Sequence, residues 1–231
     1  MKKFHLGKTA PAAILAAIFL SISVPSPALA RRVVVFGLDE TGSYDYRPKA
    51  IEIAKGVIKD LDPGDVLYFR RITEDSYSQG AHVFRLEIPA ALPEPGNKFD
   101  PRARAAWKKS LAKAEQAKAA SIEYLSKLPV INPSHTDIWG FFVAASERFA
   151  IEGGNAIPII IVATDGDDNV RRKATANLGG VKIYLAGFEG GSDPRRTRAL
   201  RDRWSKNLTE MKAASVIFLP PDAMFTIKTI R

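Results

Sequence analysis

The 231-residue sequence contains no cysteine and only three histidines. The absence of cysteine excludes disulfides, thiolate zinc sites, Fe–S clusters and cysteine nucleophiles. With so few imidazoles available, we expect any bound metal ion to be held by oxygen atoms. The remaining composition, 46% hydrophobic and 26% charged, is that of an ordinary globular protein. A formal net charge of +9 favours an acidic partner or surface without identifying it.

The N-terminal segment, residues 1–30, has the pattern of a secretory signal peptide. Three lysines precede an apolar run over 12–24, and the small-residue pattern Ala28-Leu29-Ala30 follows it. We therefore predict cleavage after Ala30 and a mature chain that is periplasmic or secreted, without stable membrane insertion after cleavage. An uncleaved anchor is the alternative, although the run is shorter than the roughly 20 residues that span a bilayer.

Strands and helices are predicted to alternate through one domain, residues 31–231. Continuous apolar runs such as 32–38 and 157–163 are typical of strands buried on both faces of a parallel sheet. We predict strands at 32–38, 66–72, 83–88, 157–163, 181–188 and 215–219, and helices at 48–61, 102–128, 137–151 and 194–212. The strand at 83–88 is predicted to be a half-exposed edge. This alternation predicts a doubly wound, mostly parallel α/β sheet with helices on both faces.

Polar residues cluster where these elements end. In open α/β sheets, ligands bind outside the carboxyl ends of the strands. Asp39-x-Thr41-x-Ser43 follows the first strand, Ser134 to Asp137 precede a helix, and Thr164 to Asp168 follow the most apolar strand. Carboxylate and hydroxyl oxygens of this kind suit a hard, octahedral cation such as Mg²⁺ or Mn²⁺.

The three clusters, in this order, resemble the metal-ion-dependent adhesion site (MIDAS) of von Willebrand factor A (VWA) domains. That family's first motif is Asp-x-Ser-x-Ser, its second a single Thr and its third an Asp. The matching residues here are Asp39, Thr41, Ser43, Thr136 and Asp165. Thr41 replaces the commoner Ser and keeps the hydroxyl. The long basic helix and the proline-rich connection before Thr136 are larger than in a minimal VWA domain.

The resemblance implies a function and a role for each residue. Thr41, Ser43 and Thr136 would contact Mg²⁺ (or Mn²⁺ or Ca²⁺) through neutral hydroxyls, while Asp39 and Asp165 would act through water or hydrogen bonds. An ion left electrophilic in this way seeks an anionic ligand, which an Asp or Glu of a protein partner can supply. The resemblance therefore implies a non-enzymatic protein-binding module of the kind that serves adhesion, and the predicted signal peptide implies that this module is exported. It does not identify the partner, the process or the oligomeric state.

Other interpretations remain open at this level. Each cluster could be a helix cap, as Thr136 before the helix at 137 illustrates. A haloacid-dehalogenase-like phosphatase would also place an Asp after the first strand, but it needs a second Asp where Thr41 stands. A metal-free VWA scaffold is a third possibility. The basic helix at 102–128 is expected to be a solvated face or to meet an acidic surface. Nucleic acid is not expected as a partner, because exposed interleaved aromatics and a recognised nucleic-acid-binding fold are missing.

Overall fold

The structure, a computed structural model, describes residues 30–170, 175–188, 193–220, 223 and 225–230. The predicted signal peptide lies outside the described residues except for Ala30. Among the residues that are described, no helix is both long and apolar enough to cross a membrane. The elements are β1 (Arg32–Asp39), α1 (Arg47–Asp60), β2 (Val66–Ile72), β3 (His82–Glu87), α2 (Pro101–Ser126), α3 (Ile138–Glu152), β4 (Ile157–Ala163), β5 (Lys182–Ala186), α4 (Pro194–Glu210) and β6 (Ser215–Leu219).

These strands form one six-stranded sheet in the order β3-β2-β1-β4-β5-β6. All neighbouring pairs are parallel except β2 with β3, which is antiparallel. The predicted doubly wound, mostly parallel α/β fold is therefore confirmed, and so is the edge position of the strand predicted at 83–88. Strands β2 and β3 are added on one side of β1, and strands β4 to β6 are added on the other side. The neighbouring carboxyl ends of β1 and β4 therefore form the switch point where such sheets bind ligands.

Helices cover both faces of the sheet, as the continuous apolar strands require. On one face, α1 and α2 pack over Val34 and Phe36 of β1. On the other face, α3 and α4 pack over Val33 and Val35 of the same strand. Because alternate residues of β1 point to opposite faces, this strand contributes to both layers of the core and is buried along its whole length.

Helix α2 differs from the other helices because much of it lies outside the core. Only Ala114 and Leu125 are buried in its 26 residues. Trp107 and Leu111, apolar residues at helical spacing with Ala114 and Leu125, are not buried, and Leu111 is 36% exposed. The spacing of apolar residues correctly predicted a helix here. It did not show that the first half of the helix extends past the body of the domain.

Candidate metal site

The first motif forms a tight turn at the carboxyl end of β1. Asp39 is the last residue of that strand and is fully buried. Its Oδ1 accepts hydrogen bonds from the backbone N–H of Thr41 (3.0 Å) and from the Thr41 hydroxyl (2.7 Å). The Thr41 and Ser43 hydroxyl oxygens lie 3.3 Å apart. This Asx-type turn aims both hydroxyls at one point.

The end of β4 completes the contacts of Asp39. The Thr164 hydroxyl donates to Asp39 Oδ2 (2.7 Å), so both oxygens of this carboxylate are hydrogen bonded. The next residue, Asp165, accepts from the backbone N–H of Asp167 (3.0 Å) and from the Ser43 hydroxyl. The third motif is thereby joined to the first from a neighbouring parallel strand.

Thr136 enters the cluster from the loop before α3. Its hydroxyl lies 3.2 Å from the Thr41 hydroxyl oxygen, and it is 1% exposed. Asn169 holds the Thr136 backbone from both sides, because its side chain accepts from the Thr136 N–H (2.8 Å) and its N–H donates to the Thr136 carbonyl (3.2 Å). All five residues predicted from the sequence therefore converge on one place.

An ion-pair cluster ties this loop to the first motif. Glu40, whose side chain is fully buried, pairs with Arg47 of α1 (2.6 Å) and Arg71 of β2 (3.2 Å). Both arginines also donate to the Pro129 carbonyl, at 3.4 Å and 2.8 Å. We name Glu40, Arg47 and Arg71 the Glu40 clamp. It fixes the start of the segment that leads to Thr136, and sequence reasoning gave no indication of it.

Burial sets the electrostatics of the two carboxylates. The pKa of Asp39 is raised to about 6, chiefly because burial penalises its charged form, although hydrogen bonds from Thr41 and Thr164 oppose this. The pKa of Asp165 is also raised by burial, and nearby Asp167 adds to the rise. Within the described residues, no cationic side chain forms an ion pair with Asp39 or Asp165. The neighbouring Glu40, by contrast, has two arginine partners.

The residues present fit a hard divalent cation. Three hydroxyl and two carboxylate groups provide only oxygen ligands, which Mg²⁺, Mn²⁺ and Ca²⁺ prefer. The described residues contain no cluster of three or more His, Asp or Glu side chains placed to hold a metal. A site here would therefore depend on hydroxyls as much as on carboxylates. A cation would offset the unpaired negative charge that burial makes unfavourable at Asp39.

Residues near the site have roles that the sequence only partly indicated. Asp168, the last residue of the third cluster, accepts from the N–H groups of Ile138 (2.8 Å) and Trp139 (3.3 Å) and so caps α3. Asp167 is partly exposed and paired with Arg196, as a rim residue would be. His135 is exposed, and its Nδ1 lies 2.8 Å from the Ser134 hydroxyl, which agrees with a loop role.

Taken together, the fold is a doubly wound, mostly parallel α/β domain with a cluster of hydroxyls and carboxylates at its switch point. Among solved structures, the chain is similar to a von Willebrand factor type A protein from Catenulispora acidiphila, with 18% identity, a TM-score of 0.42, and coverage of 82% of this chain and 39% of that chain. It is also similar to an aerotolerance-related membrane protein from Bacteroides fragilis, with 14% identity, a TM-score of 0.47, and coverage of 81% and 91%.

A third similar structure is the pilus adhesin SpaC from Lactobacillus rhamnosus, with 10% identity, a TM-score of 0.48, and coverage of 83% of this chain and 28% of that chain. The chain thus spans less than half the length of the Catenulispora and Lactobacillus proteins. No protein-family model matches the sequence, and a search of curated proteins gives no match. At these identities and TM-scores the likenesses carry no functional argument. The fold assignment rests on the strand order and the helix layers.

Proposed function

We propose that the chain is an exported, non-enzymatic protein-binding module that uses a divalent cation to bind an acidic residue of a partner. The observation that carries this proposal is the convergence of Asp39, Thr41, Ser43, Thr136 and Asp165 from three separate segments. Capping alone would not bring three motifs to one point, nor leave the Asp39 carboxylate buried beside three hydroxyls. N-terminal sequencing of the protein recovered outside the cytoplasm tests whether it is exported. We expect the mature chain to start at Arg31.

Each of the five converging residues has a definite role in this proposal. Asp39 orients the Thr41 and Thr164 hydroxyls by accepting hydrogen bonds from them. At Thr41 this leaves one oxygen lone pair free, beside the lone pair that accepts from the Thr136 hydroxyl. Asp165 does the same for Ser43. Thr41, Ser43 and Thr136 thus present neutral oxygens to the cation. When bound, Mg²⁺ (or Mn²⁺ or Ca²⁺) would supply a positive centre that a partner's carboxylate can reach.

Calorimetric titration of Mg²⁺ and Mn²⁺ into the purified chain, with and without added acetate, tests the site. We expect weak binding that acetate strengthens, because acetate supplies the carboxylate of the missing partner. Asp39→Asn should lower the affinity by roughly 10–100-fold, as is usual for residues that orient metal ligands. Because the folded state disfavours a charged Asp39, this variant should melt no lower than the parent protein at neutral pH.

Two further variants sharpen the test. Ser43→Ala removes a proposed ligand and should also weaken binding. Ser134→Ala is the matched control, because Ser134 lies two residues from Thr136 and its hydroxyl is hydrogen bonded, among the described residues, to His135 alone. Equal affinity in Asp39→Asn, Ser43→Ala and Ser134→Ala would contradict the assignment. No binding by the parent protein under any condition would favour a metal-free scaffold.

A phosphatase is a weaker alternative. Asp39 occupies the position of its nucleophile, but both oxygens of this carboxylate accept hydrogen bonds and the residue is fully buried. A threonine at position 41 cannot act as a general acid near neutral pH. We therefore expect no hydrolysis of an aryl phosphate in the presence of Mg²⁺. Turnover that Asp39→Asn abolishes would favour the phosphatase.

A further inference from the structure

An arm, residues 89–113, projects from the domain at the end opposite the candidate metal site. Helix α1 begins near that site and ends at Asp60, beside the start of β1. Leu128, after α2, contacts Arg47 at the beginning of α1, and Lys118 contacts Lys59 at its end. The earlier residues of α2 therefore extend past the body. Residues 101–113 contain no buried residue and span roughly 20 Å.

The arm returns along itself before the helix begins. The backbone N–H of Leu92 donates to the Ser110 hydroxyl (3.0 Å), which joins the proline-rich segment to the helix. The carboxylate of Asp100 accepts from the N–H groups of Arg102 (2.9 Å) and Ala103 (3.1 Å) and caps α2. The arm is thus a defined projection whose tip lies near residue 99.

Positive charge dominates this projection. The arm carries six Lys and Arg side chains and only two acidic ones, and one of those, Asp100, is used as the cap. Arg102, Lys109 and Lys113 share one face of α2, because their spacings of seven and four residues return to the same side of a helix. Within the described part of the chain, these three side chains form no ion pair.

Apolar side chains are exposed on the same projection. Phe99 is 94% exposed, the largest value among the exposed large hydrophobic residues of the described chain, and it stands beside Lys98 at the tip. Leu92 is 50% exposed and lies on the returning segment. An aromatic ring held in water is unfavourable in the free protein, and burying the Phe99 ring in an apolar layer would stabilise the complex with that layer.

A small cavity lies in the arm, and Lys98, the residue before Phe99, is part of its lining. It has a volume of about 230 Å³ and is lined by Glu94, Pro95, Lys98, Arg104 and Trp107. Two cationic side chains and one acidic side chain surround a tryptophan, so the cavity is amphipathic with an excess of positive charge. This lining suits the junction between an anionic headgroup and the apolar layer beneath it, where tryptophan is favoured.

We propose that the arm docks the protein on the surface of an anionic phospholipid bilayer. The cations are spread along and around the helix rather than gathered in a shaped groove, which fits a fluid array of headgroups better than one protein surface. Phe99 inserts between headgroups, while Arg102, Lys109 and Lys113 bind phosphate groups. Helix α2, of 26 residues and so roughly 39 Å, leads from this tip toward the Thr136 loop. The candidate metal site therefore lies at the end of the domain remote from the inserted Phe99.

Helix α4 provides the matched comparison. It is also rich in arginine, and Arg195, Arg198 and Lys206 are exposed on it. No large hydrophobic residue is strongly exposed along α4, whose residues are all described. A surface that acted through charge alone would use α4 as well as the arm.

Vesicle co-sedimentation tests the proposal. The chain is mixed with phosphatidylcholine vesicles that either contain or lack phosphatidylglycerol, and every variant carries the same N-terminus. We expect binding only to the anionic vesicles, weakened by salt. Arg102→Glu/Lys109→Glu/Lys113→Glu should lower the affinity by on the order of 100-fold, at about five-fold for each charge lost. Phe99→Ser should lower it by roughly ten-fold, because it removes the inserted ring.

The control variant Arg195→Glu/Arg198→Glu/Lys206→Glu changes the net charge by the same amount and should keep most of the binding. Equal losses in the two triple variants, or binding to both kinds of vesicle, would overturn the proposal. Soluble poly-glutamate is a second probe. Binding of poly-glutamate that depends on the arm, without binding to anionic vesicles, would also overturn the proposal and identify an acidic polypeptide as the occupant. Circular dichroism of each variant verifies that it is folded.

Discussion

At the scale of the residue, the three motifs predicted which side chains lie together better than they predicted what surrounds them. Asp39, Thr41, Ser43, Thr136 and Asp165 meet as the resemblance implied. Thr164 was visible in the third cluster, yet its bond to Asp39 depends on the pairing of β1 with β4. The capping role of Asp168 depends on the path of a loop from another segment. Such contacts are long-range, so local pattern does not determine them.

Gly166 holds the third motif in place through its backbone conformation. Its φ is +85°, and an added Cβ would lie 2.1 Å from Cε2 of Phe188. Gly166→Ala should therefore destabilise the fold by about 2–4 kcal/mol and weaken cation binding at the adjacent Asp165. Urea denaturation measures the first effect. Gly56→Ala on helix α1 is the control, because nothing lies within 4 Å of its added Cβ. This variant should stabilise the fold by up to about 1 kcal/mol, since alanine favours a helix more than glycine does.

His82 makes the stability depend on pH. Burial, with help from Arg70 and Arg148, lowers the pKa of His82 below its ordinary value of 6.5. Its Nδ1 is buried without a hydrogen-bond partner among the described residues. The unfolded chain therefore protonates His82 more readily than the folded protein does. The neutral His82 thus contributes to folding stability above pH 6.5, and this contribution is lost as the pH falls toward the lowered pKa.

The melting temperature of the parent protein should accordingly fall between pH 7.5 and pH 5 by more than that of His82→Gln, since 6.5 lies inside this interval. His135→Gln serves as the control because His135 is exposed. It should keep the pH dependence of the parent protein. Parallel curves for the parent protein and His82→Gln would show that His82 does not contribute.

At the scale of the element, apolar spacing predicted the four α-helices and six strands of the described residues, but not the short 3-10 helix Gln79–Ala81 or how much of each element is buried. The long basic helix shows the difference. Its stripe from Trp107 to Leu125 has helical periodicity, yet only its second half meets the core. Periodicity reports which face of a helix is apolar. Whether a neighbour covers that face depends on the length of the neighbouring helix, and α1 is only 14 residues long.

The Glu40 clamp joins three elements, and its removal should cost more than the removal of a surface ion pair. Glu40→Gln leaves Arg47 and Arg71 facing each other with 19% and 15% side-chain exposure. We expect Glu40→Gln to lower the free energy of unfolding by about 2–3 kcal/mol. This is a small effect for a broken buried ion pair, because both arginines reach solvent. Chemical denaturation measures it. Glu52→Gln, which breaks an exposed pair with Lys55, should change stability by less than about 0.5 kcal/mol.

At the scale of the whole molecule, strand–helix alternation predicted the fold class, and the structure adds the strand order. Nothing in a local pattern states that β1 lies between β2 and β4. That placement brings Asp39 beside Thr164 and creates the switch point. The candidate site lies at the carboxyl ends of the strands, and the arm projects from the other end of the sheet.

The central claim is that a divalent cation binds where the three motifs meet. Diffraction from crystals grown with Mn²⁺, collected where manganese scatters anomalously, tests it most directly. The account predicts one strong anomalous peak between the hydroxyl oxygens of Thr41, Ser43 and Thr136, and its loss in Asp39→Asn. A peak elsewhere, or none at a Mn²⁺ concentration that saturates the calorimetric titration, would contradict it.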